Sequence, residues 1–324
     1  MKAPGAASAA RAGRGLAIQF VVVAVLLGLL WLLFSVTAAN MRERGIHSGF
    51  DFLLQPAGFD IGEGVFAFDA GDAYWRAFLA GLANSLRVAL PGILLATLLG
   101  SLVGIGRLSA NLLLRGLCVA YVEIFRNIPL LLQLLVWYFL LTDLLPASSA
   151  ALRLLPHVYL SKNGLSLPWP LSATTLDLPQ PQPDGAGISG GAALTPEFLA
   201  LWLGLSLYSA AYVAETVRSG IQAVPTGQVQ AAYALGLARW QTLRLVQIPL
   251  ALRIIVPPLT NQYLNLLKNS SLAVAIGYPD LVSIGNTTIN QTGRAVECLA
   301  IVIAVYLLLS VALAALTRRL GRSA

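Results

Sequence analysis

Few residues in this chain are equipped to do chemistry, and most of those sit where a polar group is costly. Glu123 and Arg126 are spaced i, i+3 in an apolar stretch; Lys268 lies in another, among Asn265, Asn269, Ser270 and Ser271. A charged side chain in hydrocarbon costs enough to be a functional candidate by default. The chemistry on offer is recognition of charge. A guanidinium matches a carboxylate through two parallel hydrogen bonds, and Glu123 can close on Arg126 across one helical turn. The pair is therefore either a structural bridge or the setting for an anion-attracting Arg126 on a pathway. Its depth also has two solutions. A helix continuous from Arg115 carries Arg126 into the bilayer, whereas an interfacial helix ending before Asn127 holds both charges at the surface, with Pro129 opening a new segment. Lys268 contacts either a solute or the polar groups of a partner subunit. The amides and hydroxyls around it call for a polar cavity or a subunit interface.

Catalysis has no comparable foothold. The chain holds no His-Glu-x-x-His, no Gly-x-Ser-x-Gly and no acid pair at a useful membrane spacing. It also lacks a Gly-x-x-x-x-Gly-Lys-Ser/Thr loop, so it cannot cradle nucleotide phosphates in that manner. His47 and His157 stand alone and point to no metal. Cys118 and Cys298, without pairable spacing, read as packing residues. Glu215 and Arg218, again i, i+3, read as a surface salt bridge. Tyr121, Trp137, Tyr138 and Tyr263 either line a path or anchor helices at interfaces.

The elements that must position these groups follow from composition. Of 324 residues, 57% are hydrophobic and 11% charged, with mean hydropathy +0.75; soluble domains carry roughly a quarter charged residues. The chain reads as an all-α integral membrane protein. Six apolar runs approach the roughly 20 residues a helix needs to cross the bilayer: Leu16 to Ala38, Phe78 to Ile105, Ile128 to Leu145, Glu197 to Val217, Ile254 to Ile276 and Cys298 to Leu316. The first exceeds the usual length of a cleavable signal, so it is expected to remain as an anchor. The net charge of +7 does not indicate nucleic acid, because the arginines cluster at alternate ends of the runs: the N-terminus, Arg107 and Arg115, Arg218 to Arg253, and Arg318 to Arg322. The positive-inside rule places those segments in the cytoplasm, both termini included. Most acids, from Asp51 to Asp72 and at Asp177, Asp184 and Asp280, fall outside.

The expected organisation is a tail (1–15), an anchor (16–38), an outside segment (39–77), the main membrane domain (78–316) and a second tail (317–324). Within the main domain lie an outside loop at 146–196, whose proline and glycine content predicts an extended or partly disordered loop rather than a second domain, and a cytoplasmic loop at 218–253. "GSLVG", Gly100 to Gly104, permits close helix packing.

The cytoplasmic loop contains "GQVQAAYALGLARWQTLRLVQIPLAL", Gly227 to Leu252. Gln230 to Leu235 are good helix formers, with Ala231, Ala232 and Ala234 small enough for another surface to approach. Gly236 can end that helix in left-handed geometry. A second amphipathic helix with Arg239 and Arg244 follows, and Pro249 is expected to bend the chain towards the next span. Periodicity alone favours an ordinary amphipathic interfacial connector.

The pattern of small residues, then Gly236, then Ile248-Pro249 resembles the EAA loop of ATP-binding-cassette importer permeases. "GLANSLRVAL" at Gly81, "YVEIFRNIPLLLQL" at Tyr121 and "NQYLNLLKNSSLAVAIGYPDL" at Asn261 resemble the polar amino-acid branch of that family. With "GFDFL", "AGFDI" and "NQTGRAVE" the chain is similar to the Q-type permease subunit of general L-amino-acid importers, from about Gly49 onward. The resemblance implies a type I importer (MetI-like) core with an added N-terminal helix, in a bacterial inner membrane. It implies that Gln230, Ala231, Ala232, Gly236, Arg239 and Pro249 couple the chain to a cytoplasmic ATPase. It also implies that ATP and Mg are used by that partner, that a second permease completes the path, and that a periplasmic amino-acid-binding protein delivers substrate. Glu123, Arg126, Lys268, Asn269 and Ser270 are the expected pathway residues. Two positions depart from the family: Gln230 stands where glutamate is common, and KNSSL at Lys268 replaces KDTSL, removing an acid. The alternative function is a membrane scaffold or sensory subunit that docks a cytoplasmic partner without translocating anything.

Overall fold

The computed structural model describes residues 6–43, 48–168, 181–183 and 187–323. Lys2, His47, Asp177 and Asp184 lie outside that set. In chain order the helices are α1 (Ala6–Glu43), α2 (Tyr74–Gly106), α3 (Leu112–Asn127), α4 (Leu130–Asp143), α5 (Pro196–Gln222), α6 (Thr226–Ala234), α7 (Arg239–Thr242), α8 (Ile248–Asn269), α9 (Leu281–Thr292) and α10 (Ala295–Ser323). Among the described residues five spans, Ile18–Thr37, Tyr74–Gly106, Pro196–Gln222, Arg239–Ile276 and Ala295–Ala315, are long and apolar enough to cross a membrane, and the pair α3 and α4 makes six if taken as one.

That pair corrects the third expected run. At 14 residues and about 1.5 Å per residue, α4 alone is too short for the bilayer. The preceding 16-residue α3 meets it at a bend of 104°. Pro129 cannot donate a hydrogen bond, so the α3 carbonyls lose their helical partners there. The buried Gln133 replaces them, its Nε2 donating to the Phe125 and Ile128 carbonyls at 2.9 and 2.8 Å.

The main core packs α2 against α5, with α4 and α8 flanking. Gly100 and Gly104 make that approach possible. A Cβ on Gly100 would lie 2.6 Å from the Val213 Cβ, and one on Gly104 would lie 2.6 Å from the Ala214 carbonyl. The packing reading of "GSLVG" holds. None of the apolar window of α1 is buried within the fold, as a helix facing lipid should be.

Residues 48–73 fold into a compact cap. Phe52, Ala57 and Phe68 are buried against Tyr74, Phe78, Leu281, Ile284 and Cys298, uniting the starts of α2, α9 and α10. Within the described parts of the loop between α4 and α5 the chain forms strands that its composition does not predict. Strands β1 (Leu152–Leu155), β2 (Val158–Ser161) and β3 (Gly164–Leu167) form an antiparallel meander. A two-stranded piece, β4 (Gln182–Pro183) with β5 (Ile188–Ser189), precedes β6 (Ala192–Leu194), which completes the four-stranded sheet β1-β2-β3-β6. His157 turns the first hairpin at φ 59°. The prolines and glycines lie largely at the strand ends, where they interrupt few ladder bonds.

Candidate functional site

Polar side chains gather in two regions: a pocket among the spans, and the turn between α6 and α7. The pocket lies between α5 and α8. Tyr208 and Tyr212 are four apart on α5 and so share a face; Gln262, Asn265 and Asn269 are spaced three and four apart on α8 and share another. With Ser209 they enclose about 250 Å³. The two phenol oxygens lie 3.1 Å apart. No charged residue lines the pocket, but the Arg126 guanidinium sits 5.1 Å from the centroid of the Tyr212 ring. A cation thus lies behind one wall of an otherwise neutral, hydrogen-bonding cavity.

The expected pathway residues divide. Asn269 lines the pocket and Arg126 abuts it. Glu123 does not pair with Arg126; it accepts from the Asn127 amide at 3.3 Å, so the expected bridge is absent. The separate helix α3 favours the solution in which it ends at Asn127 and Pro129 opens a new segment. Ser270 is fully buried and donates to the Leu267 carbonyl at 2.7 Å, which makes it a packing residue rather than a pocket wall. Lys268 is exposed, away from the lining. Among the aromatic candidates, Tyr121 donates to the Leu207 carbonyl at 2.7 Å and Tyr263 shares a 2.9 Å hydrogen bond with Thr97. Both tie helices together. Tyr208 and Tyr212 were not singled out from sequence, although their i, i+4 spacing inside an apolar run is the signal that finds them.

In the loop between α5 and α8, α6 finishes as the sequence predicts. Gly236 adopts φ 78°; its N–H donates to the Tyr233 carbonyl at 2.9 Å and the Leu237 N–H donates to the Ala232 carbonyl at 3.2 Å. These two bonds define a Schellman turn. A Cβ at Gly236 would meet nothing within 4 Å, so only the backbone angle demands glycine. Gln230, Ala231 and Arg239 are exposed, but Ala232 is buried within the loop itself and offers nothing to a partner. Leu235 and Trp240, 83% and 64% exposed, dominate the outer face.

Pro249 departs from expectation. The chain runs as one span from Arg239 to Ile276, because a π-turn at Leu243–Gln247 precedes Pro249, which occupies the first turn of α8 where its missing donor is tolerated. The second limb of the loop is the start of the span, not a separate surface helix. Glu215 is gripped by Arg107 and by Arg218, whose Nε lies 3.2 Å from it. The expected α5 pair is therefore a three-residue clasp joining α2 to α5.

The sequence model of the "Binding-protein-dependent transport system inner membrane component" family matches residues 96–324. The chain belongs to this family. It is a multi-pass inner-membrane permease, and membership does not favour the scaffold alternative. It is 39% identical to the "General L-amino acid transport system permease protein AapQ" of Rhizobium johnstonii, over 92% of this chain and 89% of that protein. It is 40% identical to the "Putative amino-acid ABC transporter permease protein YhdX" of Escherichia coli, over 92% of this chain and 91% of that one. A solved structure described as an amino acid ABC transporter with histidines shares its fold at TM-score 0.56 and 25% identity, over 78% of this chain and 95% of the other. As a permease of this family the chain is the non-catalytic subunit, and a partner hydrolyses ATP.

Proposed function

We propose that this permease moves L-amino acids inward through the path that includes the α5–α8 pocket. The observation that carries the reading is that pocket: two tyrosines, three side-chain amides and Arg126 behind Tyr212 offer neutral donors and acceptors with one cation nearby. That is suitable chemistry for a zwitterion whose carboxylate is drawn towards the guanidinium. The names of the similar proteins, which print amino-acid transport, support the same class.

In this reading ATP, with Mg, is consumed by cytoplasmic subunits that dock on the α6 turn. Gln230, Ala231, Leu235, Gly236 and Arg239 form the docking face, and continuity from Arg239 into α8 carries movement directly to the span that bears Gln262, Asn265 and Asn269. A second permease completes the path, a binding protein delivers substrate outside, and both termini lie in the cytoplasm. The test is purification of the tagged chain in mild detergent, with mass spectrometry of what accompanies it, using residues 227–252 intact or scrambled. Recovery of an ATPase and a second permease, with the ATPase lost on scrambling, is the expected result. Recovery of no ATPase in either case would overturn the reading.

A further inference from the structure

The cap lies outside residues 96–324, which the family model matches, and it carries a feature that the transport path does not use. Residues 58–70 form a loop whose ends are pinned together: the Gly58 N–H donates to the Ala70 carbonyl at 3.0 Å, the Ala57 N–H donates to the Asp72 carbonyl at 2.7 Å, and the Ala70 N–H donates to the Asp60 carboxylate at 2.8 Å. Its middle is fastened to the spans. Glu63 accepts from Arg87 at 2.9 Å and from the Thr195 hydroxyl, and its carbonyl accepts from the Asn84 amide at 2.8 Å. Between these anchors Val65 and Phe66 project, 59% and 41% exposed, while the neighbouring Phe68 is buried. Exposed Asp60 and Asp69 flank that tip. Residues 48–73 hold five acids and no lysine or arginine; Asp51, Glu63 and Asp72 pair with Arg294, Arg87 and Arg76 from outside the cap, so Asp60 and Asp69 supply the charge of the rim.

A rigid apolar tip with an acidic rim is the form of an interaction site: aromatic anchors supply affinity when desolvated, and rim charges govern partner choice and approach rate. Resting on the importer reading, we infer that the Val65–Phe66 tip docks the substrate-loaded binding protein, which presents to it an apolar recess bordered by lysine or arginine. Charge complementarity selects that occupant. The outer membrane surface also faces the cap, but anionic headgroups would be repelled by a rim that contains only carboxylates. The same loop, through Phe59 to Glu63, walls a 410 Å³ outer cavity shared with Thr195 and Pro279, so docking at the tip sets the partner directly above the spans.

The test uses the complete importer in lipid nanodiscs and the binding protein purified from the same cells, loaded with an L-amino-acid mixture. ATP turnover is followed against binding-protein concentration at low and high salt. V65S/F66S should raise the half-stimulating concentration about 30-fold, the size of one interface hot spot, with basal turnover unchanged. D60N/D69N keeps the backbone hydrogen bonds from the Ala70 N–H to residue 60, at 2.8 Å, and from the Gly71 N–H to residue 69, at 2.9 Å, because an asparagine oxygen still accepts, and should flatten the salt dependence. L54S, exposed on the cap but away from the tip, should do neither. Equal stimulation of V65S/F66S and the unaltered complex would overturn the proposal. So would quenching of F66W fluorescence by brominated lipids, which would make the membrane the occupant. If the unaltered complex responds to no loaded binding protein, the importer reading fails and this inference falls with it.

Discussion

Arg294 grips Asp51 across 243 positions of sequence, its two terminal nitrogens 2.5 and 3.0 Å from the two carboxylate oxygens. The same guanidinium donates to the Gly49 carbonyl at 2.5 Å and lies over the Phe52 ring, while Glu297 accepts from the Gly49 N–H at 2.8 Å. "GFDFL" and "NQTGRAVE" are thus two halves of one joint that fixes the cap to the turn between α9 and α10. Arg294→Ala removes the ion pair, the carbonyl bond and the ring contact together and should ease opening of residues 48–73 by about 2 kcal/mol. Asp51→Asn, at a carboxylate largely in water, should cost less than about 1 kcal/mol. Hydrogen exchange over the cap reads both, and equal protection in Arg294→Ala would refute the joint.

Gln133 should be indispensable to the α3–α4 bend. Gln133→Leu leaves the Phe125 and Ile128 carbonyls without their side-chain donor, a loss of about 1 kcal/mol for each bond. The expected outcome is a markedly lower melting temperature in detergent. A melting temperature within a degree of the unaltered protein would show that the bend is held by packing alone.

The turn at Gly236 separates backbone from side-chain effects, since the space around it is open. Gly236→Asn tolerates the left-handed angle and should keep ATP turnover tied to uptake. Gly236→Val strains that angle by about 1–2 kcal/mol and should uncouple the two while insertion into the membrane persists. Normal coupling in the Val variant would remove the turn from the mechanism.

Asp280 gives the fold a pH dependence. It caps α9, accepting from the Ser283 N–H at 2.8 Å, and burial raises its pKa from 3.8 to about 7 despite that bond. Between those two values the folded chain holds a proton that the unfolded chain has released. This group's contribution is therefore largest at acid pH and is lost as pH rises through about 7. Asp280→Asn keeps a capping oxygen without the ionisation. Its melting temperature should gain on the unaltered protein as pH climbs from 5 to 8, whereas parallel curves would contradict the assignment.

Much of this architecture was legible in the chain because its determinants are local. Apolar runs of membrane length announce spans, arginines mark their ends, and Gly236 is demanded by one backbone angle. The cap was not legible, because its partners lie some 240 residues away and its short, non-periodic segments carry no signal until α9 and α10 are in place. The sheet at β1-β2-β3-β6 was hidden by the prolines and glycines of its turns. At the pocket, Arg126 and Asn269 stood out as polar groups in apolar sequence, while Tyr208 and Tyr212 blended with it. Glu123 misled because i, i+3 spacing permits an ion pair without requiring one. Pro249 misled for a similar reason, since a preceding π-turn lets the helix continue.

The most direct measurement of the central claim is uptake of labelled L-amino acids by proteoliposomes holding the complete importer, with ATP inside and loaded binding protein outside. The account predicts accumulation that requires ATP, falls at least tenfold when residues 227–252 are scrambled, and weakens when Arg126 is replaced by Gln. Accumulation indifferent to ATP, or unchanged by scrambling the loop, would contradict it.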